Sequence, residues 1–171
     1  LQVNKFKFED GYMGDLSLVG DWQEEEKAVR LQGVINDKEY TSIIKGIVSP
    51  ANDSINLQVT ADGTRLDFLN YMINSFVSSV DMRAYGDIGI RGKLSSINLY
   101  GDLKTVGELK INSTNTTYNL YGEDTLHLTH NRIGFDNFRI YDHRNNKGII
   151  NGSVDHQSLK NFSCNFNINA N

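Results

Sequence analysis

The chain has 171 residues, 39 % of them hydrophobic and 22 % charged, a globular balance that fits one sizeable domain or two small modules. A net charge of −4 with no basic cluster argues against nucleic acid and against an anionic membrane surface as partners. No run is long and apolar enough to cross a bilayer, and the single cysteine, Cys164, excludes an internal disulfide.

Proline occurs once, at Pro50, against 15 glycines that mostly bound short apolar runs, and the dominant hydrophobic period is two. In chain order, Phe6 and Phe8 alternate with lysines, and Leu16 and Leu18 flank Ser17. Glu24-Glu25-Glu26 reads as a solvated hairpin tip, and Asn36-Asp37 as a turn. Ile55, Leu57, Val59 and Ala61 alternate with Asn56, Gln58 and Thr60, and Asp62-Gly63 reads as the turn that ends this run. From Thr64 to Val80 the period changes. Leu66, Leu69, Ile73, Phe76 and Val80 are three or four apart, and Thr64 to Asp67 fits a capping box, so the spacing predicts one amphipathic helix over 64–81.

Beyond it the period of two returns. Leu109 and Ile111, Tyr118 and Leu120, and Leu126 and Leu128 keep the alternation, with a turn expected at Gly122-Glu123-Asp124. Phe138 to Asp155 reads as a hairpin about Asn145 to Gly148, with Asp142 capping the turn through its side chain. The clearest run is the last: Phe162, Cys164, Phe166, Ile168 and Ala170 against Ser163, Asn165, Asn167 and Asn169. Cys164 in that row reads as a small buried hydrophobe. Gly14-Asp15-Leu16 is echoed by Gly86-Asp87-Ile88 and again by Gly101-Asp102-Leu103, which predicts two related β modules, 1–63 and 82–171, joined by the helix.

Catalytic patterns are lacking. His127 and His130 form H-x-x-H, but residues three apart on a strand point to opposite faces and do not share a metal. Asp142-His143 and Asp155-His156 are neighbours that point apart for the same reason. No nucleophile elbow, P-loop or calcium loop occurs, and Gly86-x-x-Gly89-x-x-Gly92 precedes strands rather than a helix. No catalytic residue, metal site or cofactor is expected, and the chain reads as non-enzymatic.

The last third carries a resemblance. Ile133 to Asp142, Asn145 to His156 and Leu159 to Ser163 are similar to the strand-turn-strand module of TamB-like proteins of the TamB/AsmA superfamily, especially the large Bacteroidetes forms. Asp142, Gly148, Gly152, His156, Leu159 and Phe162 match that module's pattern, and Gly86 to Tyr118 resembles the module before it. The resemblance implies a translocation and assembly module: a protein anchored in the inner membrane by a helix outside this segment, extending through the periplasm as a curled β-taco trough with an apolar inside. It implies phospholipid acyl chains as cargo towards the outer membrane, a BamA-like outer-membrane barrel and neighbouring β modules of the same chain as partners, and a role in outer-membrane biogenesis. The opening at Leu1 and the close directly after a strand-like run lead us to expect a segment of a larger cell-envelope protein.

One-sided strands must bury their apolar face on something. In a curled, elongated antiparallel trough carrying one short helix the occupant is lipid, and the candidate lining is Ile55, Leu57, Val59, Leu109, Ile111, Leu120, Leu126, Leu128, Phe162, Phe166 and Ile168. The alternative is a closed β-sandwich serving as a binding or adhesion module, with Trp22, Tyr40 and Tyr85 as its candidate exposed aromatics.

Overall fold

A computed structural model describes the backbone of residues 1–170 and the side chains of 1–169. It is one antiparallel sheet of eleven strands in which every strand pairs only with its neighbours in sequence. The strands are β1 (Gln2–Phe8), β2 (Gly11–Gln23), β3 (Ala28–Asp37), β4 (Tyr40–Ser49), β5 (Ser54–Arg65), β6 (Val77–Lys93), β7 (Ser96–Ile111), β8 (Thr116–Thr129), β9 (Arg132–Tyr141), β10 (Lys147–Gln157) and β11 (Lys160–Ala170). The alternating runs do what their period requires, one face in and one face out. There is no second sheet among the described residues, so the sandwich alternative is not the fold: the apolar face is buried by curling the sheet on itself.

The curl is strongest in the second half. Ser96 at the start of β7 meets Ser158 in the β10–β11 turn, oxygen to oxygen at 2.7 Å, although three strands separate β7 from that turn. One core runs from Ala61 on β5 through Leu103, Leu120 and Ile140 to Ile150 on β10. A smaller one, around Met13, Leu16 and Ile35, fills the first half, and Phe68 packs on both. Curling so tightly needs inward positions without a side chain. Gly101 on β7 sits at φ 139°, and a Cβ there would overlap the carbonyl oxygen of Asp87 on β6.

The helix predicted over 64–81 is corrected to a single turn, α1 (Leu69–Met72), with strand on both sides. Thr64 lies in β5, not at a helix cap, and Phe68 at the N-terminus makes no side-chain cap. The apolar residues behind the misreading do all face the core: Leu66 and Val80 are buried, and Leu69, Ile73 and Phe76 pack against it. Tertiary pairing overrides the local period. Asn70 acts as a short strand partner, its Oδ1 accepting the Val80 N–H at 2.6 Å and its Nδ2 donating to the Val80 carbonyl at 2.8 Å. Nor does the sheet break at the expected module boundary, since β5 and β6 pair from Ile55↔Gly92 to Arg65↔Arg83.

Two expected turns are β-bulges inside strands. Gly63 is the extra residue of β5 between Asp62↔Tyr85 and Thr64↔Ala84. On β8, Gly122, Glu123 and Asp124 together oppose only Thr105 of β7. Turn chemistry and a bulge make the same local demand, a left-handed residue, here at φ 69° and 71°. The hairpin about Asn145 forms as read, with Asp142 Oδ1 accepting the N–H groups of Arg144 and Asn146 at 2.8 Å each.

Replacing Gly101 by Ala is expected to destabilise the fold by roughly 1–3 kcal/mol, the usual cost of a side chain in a forbidden backbone region. Gly134→Ala, whose Cβ would find only ordinary contacts beyond 3.7 Å, serves as the control. Urea unfolding of the two variants checks the difference.

Candidate functional site: an apolar cavity inside the curl

The curl encloses a cavity of about 450 Å³. Leu109, Ile111, Leu120 and Leu126 of β7 and β8 form one wall. Ile133, Phe135, Ile150, Val154, Phe166 and Ile168 of β9 to β11 form the facing wall. The third side is the connection between β5 and β6, which lays Leu66, Leu69, Ile73 and Phe76 over the opening. Phe135 fixes the corner, meeting Phe138 and Phe166 edge to face at 5.5 and 5.2 Å.

The enclosure is incomplete. Phe166 stays 38 % exposed at the sheet edge, and exposed Ser75, Asn112 and Ser113 line one end. That end is pinned by Asn112, whose backbone N–H reaches Phe76 O at 2.9 Å and whose Nδ2 reaches Asn74 O at 3.0 Å. Among the described residues no charged side chain lines the cavity. Its one deep polar group is Thr105, 1 % exposed, whose hydroxyl has no hydrogen-bond partner.

Thr105 lies opposite the β8 bulge, and the outer side of that bulge is held by charge. Arg139 of β9 gives Asp124 a backbone N–H at 2.7 Å, Nε at 2.9 Å and Nη2 at 2.7 Å, so a carboxylate does the work of a missing ladder carbonyl. Arg139 Nη1 also reaches Glu123 at 3.0 Å, and Tyr141 donates its hydroxyl to Glu123. The Arg139 guanidinium holds the Asp124 carboxyl below the usual carboxylate range. This network shapes the wall from outside and leaves no free charge within.

Of the residues the sequence pointed to, Leu109, Ile111, Leu120, Leu126, Phe166 and Ile168 line the cavity. Leu128 is buried in the same core without reaching the cavity. Ile55, Leu57 and Val59 lie on β5 outside it, Val59 buried and the other two half-buried. Phe162 packs instead on the ring of His156, centroids 5.8 Å apart. Ile133, Phe135, Ile150 and Val154 were missed, although their alternation is visible in the sequence. Thr105 was missed because a lone threonine on a strand carries no signal.

The motif residues make local contacts. Asp142 caps its turn, and Gly148 presses on the Ile140 side chain. Gly152, at φ 137°, faces the Asn165 carbonyl where a Cβ would overlap it. His156 is 3 % exposed, and its Nδ1 accepts the Leu159 N–H at 3.3 Å. His127 is paired with Asp102 rather than with His130, at 2.6 Å on the outer face. Among the described residues no group of metal-ligating side chains converges. Trp22, 54 % exposed, donates to Glu24, while Tyr40 and Tyr85 meet edge to face with Arg83 over Tyr40, so the three form no shared aromatic surface. No family model, curated protein or solved structure matches this chain.

Two titrations follow from the site. Burial pushes the Cys164 thiol, in the cavity wall, up to about 11. Alkylation is expected to be slow near neutral pH and to climb about tenfold per pH unit towards that value, as thiolate forms; timed alkylation read by mass spectrometry checks it. Burial also holds His156 below the ordinary histidine value. The unfolded chain then takes up that proton first, so stability present above about pH 6.5 is lost as pH falls through and below it. Thermal melts of the native chain and of His156→Gln across that range are expected to show a shallower acid loss in the variant.

Proposed function

We propose that this chain is a segment of a TamB-like, periplasm-spanning envelope protein whose curled sheet receives phospholipid acyl chains on their way to the outer membrane. The observation that carries the reading is the incompletely enclosed cavity of about 450 Å³, walled by aliphatic and aromatic side chains and free of charge. Such a cavity suits hydrocarbon: each methylene moved into it from water gains about 0.8 kcal/mol. It suits no acid–base chemistry, because its polar groups are hydroxyls, one amide and the Cys164 thiol, which burial keeps protonated. The resemblance over Gly86 to Asn171 supplies the rest of the proposal: an inner-membrane anchor outside this segment, neighbouring β modules continuing the trough, and a part in outer-membrane protein assembly with a BamA-like partner. The protein acts as a conduit and scaffold, not as an enzyme.

Photocrosslinking in cells tests this reading. Phe166 lines the cavity, and its neighbour Asn165 is exposed and does not. A photoreactive residue at 166 is expected to capture phospholipid, and the same residue at 165 to capture none. Lipid at neither position, in a folded and expressed protein, sinks the transport reading.

A further inference from the structure

Resting on that reading, we infer that the cavity is a seat for one aliphatic chain of a lipid with its polar part left at an uncharged mouth, so that a two-chain lipid engages it through a single chain. Volume makes the first argument. A dry apolar cavity of about 150 Å³ is enough for the six carbons of benzene. The cavity here, about 450 Å³, is therefore filled by on the order of eighteen carbons, one acyl chain and not two.

Shape makes the second. The connection between β5 and β6 closes the inner face on one side, because Leu69, Ile73 and Phe76 pack into the core and Asn70 ties that connection to Val80 of β6. The seat is bounded, and a chain that outgrows it must project into solvent.

Charge makes the third. Ser75, Asn112 and Ser113 at the exposed end offer hydroxyl and amide groups, and no lysine or arginine lines the cavity to hold a carboxylate or phosphate inside. Recognition is by chain, with the headgroup outside.

The test is a chain-length series of lysophosphatidylcholines, from about ten to about twenty-four carbons, titrated against the chain by displacement of an apolar dye. Affinity is expected to rise about fourfold per methylene and to level off near eighteen carbons. Exchanging the phosphocholine head for glycerol should change affinity less than about fivefold at equal chain length, since no lining charge meets the head. Leu109→Trp, which fills part of the seat, should move the plateau to shorter chains. Ile133→Phe is the gentler filling variant should Leu109→Trp fail to fold. Affinity that climbs unbroken past twenty-two carbons, that ignores chain length, or whose plateau is unmoved by a folded filling variant overturns the one-chain seat. The in-cell crosslinking reports separately: a plateau in the titration without lipid at position 166 keeps the seat and removes the transport role, and the reverse result does the opposite.

Discussion

A single sheet with one apolar face has nothing to bury that face on except itself. Every other feature of this protein answers to that constraint. Eleven strands in sequence order form a ribbon, and the ribbon must coil until its inner residues touch. Coiling crowds the inside, so inward positions lose their side chains at points such as Gly101 and Gly152, where a neighbouring strand's carbonyl occupies the place of a Cβ. On β8 the ladder accommodates two extra residues in the bulge opposite Thr105, where Arg139 holds Glu123 and Asp124.

The cavity is where coiling stops short of complete packing. Interiors normally fill to the density of organic crystals. Here the inner rows of β7–β8 and β9–β11 face each other across a gap that neither reaches over, and the β5–β6 connection covers it on one side only. The half of the sheet from β1 to β5 buries its inner row in the separate, smaller core around Met13, Leu16 and Ile35. Depth and enclosure are thus unequal along one surface of similar chemistry, and the more enclosed part carries the functional proposal.

Much of this was legible in the sequence, for physical reasons. Alternation is a direct print of the pleat, so β5, β7, β8 and β11 announced both their strands and their inner rows. Asp142 announced its turn because an aspartate that caps backbone N–H groups in a tight reversal has few rival uses. The failures share one cause: local chemistry that serves two structures equally. Leu66, Leu69, Ile73 and Phe76 are spaced for a helix, yet a connection that crosses a core needs apolar groups at much the same intervals. Gly63 and Gly122 ask for a left-handed backbone, and a bulge asks for it as much as a turn does. What decides is pairing between strands, such as Ala84 with Thr64 or Val106 with Tyr121, and that information is spread over the chain. The cavity was half legible: its β8 and β11 rows stood out, but Thr105 and the aromatic corner at Phe135 exist only once the sheet has coiled.

The neighbour-only strand order has a kinetic meaning. Each hairpin can form as soon as its own two strands exist, and each new strand needs only the edge of the one before it, as in a repeat array whose units contact only their neighbours. Loop closures stay short, so the usual penalty on β proteins, assembling distant segments before any reward arrives, is largely avoided. A ribbon of this kind can fold vectorially as it emerges from a ribosome or a translocation channel, strand upon strand, and only the final coiling around the cavity waits for β11.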